Sequence, residues 1–238
     1  MTPETRAILA KTSTASIATL LFKRGLRNQF VQGVGRLGGE APRMVGPAYT
    51  LRYIPAREDL NPVEVFRDPG HPQRRAVEEI PEGHVLVMDC RQDATAASAG
   101  SILMTRLEVR GCAGVVTDGG LRDSDDIADL QIPAFCAKPS APTNLTRHQA
   151  LDLNVPIGCG GVAVFPGDIA VGDGDGVIII PAELADEIAA EAESMESYEA
   201  WVVKQVKGGA SIIGLYPMND ETRQRYEAWL AEQEQENQ

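Results

Sequence analysis

Two short apolar segments constrain the fold of this 238-residue chain more than any other feature. They are HVLVMD at 84–89 and GVVTD at 114–118, and both are rich in the β-branched and apolar residues of buried strands. Helical segments are predicted at about 94–110 and 124–130, between and after them. This alternation predicts an α/β domain in which the two strands pair in parallel.

The rest of the chain adds an antiparallel layer and helical ends. The segment VPIGCGGVAVFPGDIAVGDGDGVIIIP, at 155–181, alternates strands with glycine-rich turns. One amphipathic helix is predicted over about 3–24, and Glu-rich helices over about 182–236. Because the chain contains no clear linker or internal repeat, we expect a single mixed α/β domain, 1–238, with these helices as extensions.

Charge and cysteine usage exclude several classes of partner. The chain has 22 basic and 34 acidic residues, a net charge of -12, which repels phosphate backbones and anionic membrane surfaces. Its four cysteines form no CxxC pair and have no neighbouring histidines, so no zinc site or disulfide framework is predicted. The N-terminus lacks the apolar stretch of a signal peptide. We therefore expect a cytoplasmic protein with reduced thiols that binds neither nucleic acid nor membranes.

A glycine motif at Gly33, Gly35 and Gly38 matches the G-x-G-x-x-G of dinucleotide-binding proteins. That motif needs a helix immediately after it, to hold the pyrophosphate at the helix N-terminus. Pro42 and Gly46-Pro47 interrupt the chain where the helix would begin, so we predict no dinucleotide site.

The stretch GVVTDGGLRDSDDI, at 114–127, places Arg122 and Asp123 at a strand-to-helix junction. Asp123 or Ser124 could simply cap the following helix, with Arg122 in a surface ion pair. Such junctions also border the usual ligand crevice of α/β folds, where an arginine binds carboxylates well. The pattern alone leaves both interpretations open.

A second junction lies at Gly100 in DATAASAGSILMTRLEVRG. The backbone N–H groups of Ser101, Ile102 and Leu103 would open a helix there and could bind an anion together with Arg122. Small residues would also suit close helix packing, which remains an equal alternative.

Several motifs in order make the chain resemble the RraA-like family, which includes divalent-metal 4-hydroxy-4-methyl-2-oxoglutarate aldolases and the regulator of ribonuclease activity. The central motif is GVVTDGGLRD. Further similarity covers TSTASIATLL, VGPAYTLR, GSILMTRLEVRGCAGVVTDGGLRDSDDI and VPIGCGGVAVFPGDIAVGDGDGVIIIP.

The resemblance implies a swivelling β/β/α fold, a homotrimer or homohexamer, and active sites between subunits. It implies that Arg122 binds the carboxylate and keto oxygen of a 2-keto acid substrate. It further implies that Asp123 is the direct protein ligand of Mg²⁺ or Mn²⁺, and that the amides after Gly100 (Ser101, Ile102 and Leu103) complete the substrate-binding pocket.

These implications predict a metal-dependent lyase that performs retro-aldol cleavage or decarboxylation through a pyruvate enolate. The substrate could be a sugar-derived 2-keto-3-deoxy acid. Two alternatives stay open: a hydratase or dehydratase of such an acid, and a non-catalytic regulator that binds a ribonuclease or helicase.

One departure from the family concerns Ser101. The resemblance places an acidic residue at this catalytic position, where it orders water for proton transfer, and a serine cannot accept that proton at neutral pH. Asp93 and Asp118 are candidate replacements. Lys138 in FCAKPSAPTN is a candidate for Schiff-base chemistry, although a loop lysine lacks the apolar burial that this chemistry needs. The long loop between Pro55 and Gln73 could act as a lid or shape the pocket for a longer substrate.

Overall fold

The computed structural model describes residues 1–38 and 42–236, without the side chains of Glu234 and Glu236. Its strands are β1 (Gly35–Leu37), β2 (Met44–Pro55), β3 (Val85–Asp89), β4 (Ala97–Ala99), β5 (Gly114–Leu121), β6 (Ala134–Pro139), β7 (His148–Leu153), β8 (Ile157–Cys159), β9 (Val162–Val164), β10 (Ile169–Gly172) and β11 (Val177–Ile180). Its α-helices are α1 (Pro3–Leu9), α2 (Thr14–Lys23), α3 (Pro72–Glu79), α4 (Ser101–Val109), α5 (Ser124–Ala128), α6 (Ala185–Lys207) and α7 (Asp220–Glu236). Short 3-10 helices cover Val63–Arg67, Asn144–Thr146 and Ala182–Leu184.

The main sheet is mixed and nearly closes on itself. Its strand order is β1-β6-β5-β3-β2-β10-β11, with β4 beside β5 and β7 beside β2. Pairing is parallel in β2–β3, β3–β5 and β5–β6 and antiparallel in β10–β11. Phe30, shortly before β1, forms an antiparallel bridge to Ile178 of β11, which brings the two ends of the sheet together. The parallel pairing of β3 with β5 and the antiparallel strands within 155–181 confirm the prediction of a mixed α/β fold.

Strand β5 lies inside the sheet, between β3 and β6, and both of its faces are covered. All eight of its residues are buried, as expected of a parallel strand between two layers. One apolar cluster lies between the sheet and α3, α4 and α5, and a second fills the inside of the curved sheet. A third lies under α1, α2 and α6.

Two of the predicted helices are wrong in extent. The single helix expected over 3–24 is divided into α1 and α2, because the side chain of Ser13 accepts a hydrogen bond from the N–H of Ser16 and starts a new helix. The helix expected over 94–110 begins only at Ser101, since Ala97–Ala99 forms β4 instead. The predicted loop at 55–73 contains the 3-10 helix Val63–Arg67.

The C-terminal helices form a cluster of their own. Helix α7 packs on the end of α6 through buried aromatic and apolar side chains, namely those of Tyr198, Trp201, Val202, Leu215 and Tyr226. Within the described ranges, no helix has the length and hydropathy needed to cross a membrane.

Candidate functional site

The two junctions singled out in the sequence meet because β4 pairs in parallel with β5. Ala97 is opposite Gly120 and Ala99 is opposite Leu121, so the residues that follow each strand become neighbours. The N–H of Arg122 donates to the carbonyl of Ala99 at 3.1 Å and fixes this register. The start of α4 and the end of β5 therefore form one site.

Arg122 and Asp123 lie side by side over the start of α4. Arg122 Nε is 3.6 Å from Asp123 Oδ2, and the two side chains are 44% and 39% exposed, so both remain accessible to a ligand. The same Oδ2 accepts the backbone N–H of Ser101 at 3.1 Å and lies 3.4 Å from Ser101 Oγ. The carboxylate is thus oriented by the opening turn of a different helix.

The backbone of Asp123 explains this orientation. Its φ of 59° and ψ of 44° lie in the left-handed region, which a non-glycine residue rarely adopts. Asp123 occupies the N-cap position of α5, yet its side chain makes no capping hydrogen bond there. The helix-cap interpretation predicts that this carboxylate accepts a hydrogen bond from α5, whereas it points to α4.

The amides predicted to bind a carboxylate are only partly available. The N–H of Ser101 donates to Asp123, and that of Leu103 donates to the carbonyl of Gly100 at 3.1 Å. The N–H of Ile102 has no acceptor among the described residues. It remains the first-turn donor that a ligand could use.

A pocket with a volume of about 150 Å³ opens beside these groups. Gly100, Ile102, Leu103, Arg122 and Asp123 line it, so the structure brings the predicted site residues together, with Ser101 attached through Asp123.

Sequence-distant segments complete the pocket. They contribute Phe66, Gln73, Arg74, Thr143 and Asn144. The sequence had indicated the loop at 55–73 as a whole, but none of these side chains individually. Phe66 lies in the predicted loop at 55–73, so this segment does line the pocket.

Asp93 and Asp118, proposed as replacements for the missing acid, have other contacts and do not line the pocket. Asp93 accepts hydrogen bonds from Thr95, which lowers its pKa, and pairs with Arg147. Asp118 is buried and accepts backbone N–H groups, and burial raises its pKa. Lys138 lies exposed on β6 rather than in a loop, also away from the pocket lining.

The carboxylate of Asp123 fits a hard divalent cation as a single protein ligand. Its Oδ2 accepts from Ser101, while no described residue donates to Oδ1, which leaves that oxygen for another partner. No group of three or more His, Cys, Asp or Glu side chains is arranged around a common metal position within 1–38 and 42–236. This donor set suits Mg²⁺, which usually keeps several waters and uses one or two protein carboxylates.

Comparison with known proteins supports one family. The family model described as RraA-like, Aldolase/RraA, matches residues 14–179. A Halalkalibacterium halodurans protein provisionally named 4-hydroxy-4-methyl-2-oxoglutarate aldolase is 32% identical over 158 residues, 66% of this chain and 69% of its own length. A similarly named Ectopseudomonas mendocina protein is 37% identical over 106 residues, which cover 44% of this chain and 64% of that protein.

Solved structures agree on the fold. Streptomyces coelicolor RraAS2, described as an unusual member of the RNase ES inhibitor RraA protein family, superposes with a TM-score of 0.74 at 28% identity, covering 84% of this chain and 96% of that one. An uncharacterised Pseudomonas syringae protein superposes with a TM-score of 0.77 at 23% identity, covering 91% and 98%. With the family match spanning the sheet and the pocket, the chain belongs to the RraA-like family.

Proposed function

We propose that this protein is a divalent-metal-dependent lyase that cleaves a carbon–carbon bond of a 2-keto acid through a pyruvate enolate. The observation that carries the proposal is the pair of Arg122 and Asp123, 3.6 Å apart and both lining one pocket. The provisional aldolase names of two relatives support the same reaction class.

Arg122 has the main electrostatic role in this proposal. In retro-aldol cleavage the C4 hydroxyl loses its proton, the C3–C4 bond breaks, and its electron pair forms the C2–C3 enolate while C4 becomes a carbonyl. Negative charge develops on the former keto oxygen, where a fixed guanidinium stabilises it more than it stabilises the neutral ketone. Oxaloacetate decarboxylation would give the same enolate, with carbon dioxide as the leaving group.

Asp123 would hold Mg²⁺ or Mn²⁺, which when bound supplies a Lewis acid for the carboxylate and keto oxygens of the substrate. The hydrogen bond from the N–H of Ser101 keeps the Asp123 carboxylate in place for this role. The side chain of Ser101 cannot take up a proton at neutral pH, so we assign it the orientation of a water molecule through which the C4 hydroxyl proton passes to bulk solvent.

The test is release of pyruvate from 4-hydroxy-2-keto acids and from oxaloacetate, measured with and without EDTA. We expect metal-dependent turnover by the wild type. Arg122→Ala should lose about a hundredfold or more in kcat, as when an oxyanion-stabilising donor is removed. Asp123→Ala should lose the metal dependence together with most of the activity.

Asp125→Ala is the matched control, because it removes an equal charge from an exposed position two residues away. It should retain nearly full activity. Pyruvate release that is indifferent to EDTA, or that survives in Asp123→Ala, would contradict the proposal. Far-ultraviolet circular dichroism of each variant checks that its fold is intact.

The presence of Ser101 in place of an acid favours one alternative, dehydration of a 2-keto-3-deoxy acid at the same site. Product mass distinguishes the two reactions, because dehydration removes water without fragmenting the carbon chain. A regulatory role would instead appear as a protein partner that Asp123→Ala still binds, without turnover of any acid.

A further inference from the structure

Arg74 is a second positive charge in the pocket, on an element far in sequence from Arg122. It lies in the first turn of α3, whereas Arg122 follows β5, and both line the same cavity. Arg122 has a carboxylate beside it, that of Asp123. Arg74 makes no ion pair with any residue in the described ranges. The pocket therefore contains a guanidinium whose charge no protein carboxylate balances.

Packing holds Arg74 in place. Its guanidinium carbon lies 4.5 Å from the centre of the Phe66 ring, within the range of a cation–π contact. The preceding residue, Gln73, is buried and donates to the carbonyl of Ser98 in β4 at 2.6 Å, which anchors α3 to the pocket. Arg74 is thus held by its environment before any ligand arrives.

The electrostatic environment of Arg74 favours an anion. Partial burial removes water from the guanidinium and lowers its pKa; Tyr53 acts in the opposite direction, and the nearby charge of Arg122 again favours a lower pKa. Two like charges that share a small cavity repel each other, and a negative ligand between them would remove that cost.

Asn144 provides an independent sign that a ligand binds in this pocket. It lines the pocket, and the residue is only 4% exposed. Its Nδ2 is buried without a hydrogen-bond partner among the described residues. Because buried donors are nearly always satisfied in folded proteins, this amide is suited to donate to a bound acceptor.

We propose that Arg74 and Asn144 form a second anion subsite, which selects 2-keto acids bearing a carboxylate at the end remote from the keto group. The inference rests on the proposed function, in which Arg122 and Asp123 bind the keto-acid end. The planar fork of an arginine matches a carboxylate with two hydrogen bonds. The cavity volume of about 150 Å³ restricts the substrate to a small acid.

The test compares 2-oxoglutarate with 2-oxopentanoate in the presence of Mg²⁺, by isothermal titration calorimetry. The two acids share a five-carbon keto-acid chain and differ in the remote carboxylate, and neither has the C4 hydroxyl needed for retro-aldol cleavage. We expect the wild type to bind 2-oxoglutarate about ten- to a hundredfold more tightly, the usual range for charge-assisted hydrogen bonds.

Arg74→Met keeps an apolar stem against Phe66 while removing the charge. It should abolish the preference by weakening the binding of 2-oxoglutarate alone. Arg74→Lys should restore part of it, because an ammonium keeps the charge without the fork. Arg75→Ala is the matched control: Arg75 is the neighbouring arginine, but it is exposed and paired with Glu79. It should bind both acids like the wild type.

Equal wild-type affinity for the two acids would overturn the proposed subsite. So would an Arg74→Met variant that binds both acids more weakly by the same factor. Pyruvate release from 4-hydroxy-2-oxoglutarate and 4-hydroxy-2-oxopentanoate separates this failure from that of the proposed function. If the wild type cleaves both acids and Arg74→Met cleaves them with the same selectivity, the protein is a lyase and the subsite proposal fails. If neither acid is cleaved but the binding preference still depends on Arg74, the anion subsite exists and the proposed lyase function fails.

Discussion

Position 100 accommodates only a hydrogen as its side chain. A Cβ atom placed on Gly100 would lie 2.6 Å from Asp123 Oδ2 and 2.9 Å from both Cγ and Nε of Arg122. The backbone of Gly100 is extended, so its lack of a side chain matters for space rather than for a left-handed conformation. The close contact keeps Arg122 and Asp123 directly above the opening turn of α4.

Gly100→Ala should therefore displace the functional pair without unfolding the protein. We expect about a hundredfold lower pyruvate release, because misplacing a catalytic group by about 1 Å has effects of this size. The measurement is kcat together with the thermal melting temperature. Gly158→Ala is the control, since a Cβ there meets nothing within 4 Å. Full activity in Gly100→Ala would show that the pair tolerates the shift.

At the level of elements, Asp118 connects three segments behind the pocket. This buried residue of β5 accepts backbone N–H groups from Cys90 at 2.6 Å, Gln92 at 3.0 Å and Gly160 at 3.2 Å. Gln92 is one of two consecutive non-glycine residues with positive φ, at 58°. The carboxylate therefore fixes the turn after β3 against the β8–β9 hairpin, which makes its role structural.

Asp118→Asn should destabilise the fold, because the NH2 group of the asparagine would face backbone N–H groups, and two donors cannot form a hydrogen bond. Leaving buried N–H groups unpaired should lower the free energy of unfolding by about 2 kcal/mol. Urea denaturation measures this change, and Asp125→Asn, at an exposed position, should differ little from the wild type.

The loss in Asp118→Asn should also depend on pH. Burial raises the pKa of Asp118 above its ordinary value of 3.8, so the folded protein holds this proton more tightly than the unfolded chain does. The stability that this carboxyl contributes is greatest at low pH and falls as pH rises through its folded pKa. The difference in the free energy of unfolding between wild type and Asp118→Asn should narrow from about pH 4 upward. A difference that widens as the pH rises would contradict a raised pKa for Asp118.

At the scale of the whole molecule, the pocket lies beside exposed apolar side chains. Ile102, which lines the pocket, is 81% exposed, and Val109 on the same helix is 71% exposed. Large apolar side chains in such positions are common where a second protein surface packs. The family resemblance implies sites between subunits, so we propose that copies of this chain cover α4.

Analytical ultracentrifugation should then give a species three or six times the 25.6 kDa of one chain. Val109→Glu should shift it toward the monomer, because burying an unpaired charge in an interface is costly. Activity should fall with dissociation. A fully active monomer would contradict the proposed assembly. Glu64→Gln is the control: it changes an exposed residue on another element and should leave the mass of the oligomer unchanged.

The sequence by itself determined the features that depend on neighbouring residues. The apolar runs of β3 and β5 predicted buried parallel strands, and the 155–181 segment predicted antiparallel ones, because strand composition and glycine turns act locally. The junctions at Gly100 and Arg122 could be identified for the same reason. Local pattern was insufficient at 94–110, where three small residues form β4 only because β5 offers an open edge beside them.

Only the tertiary structure decided how these parts combine. The left-handed backbone of Asp123 turns its carboxylate toward Ser101, a contact between residues 22 positions apart that no local pattern predicts. Arg74 and Asn144 carry no sequence signal, since an arginine on a helix and an asparagine at the start of a short 3-10 helix are ordinary surface residues. They become part of a site because the sheet brings four distant segments around one cavity. Burial there raises the free-energy cost of an unpaired charge or amide.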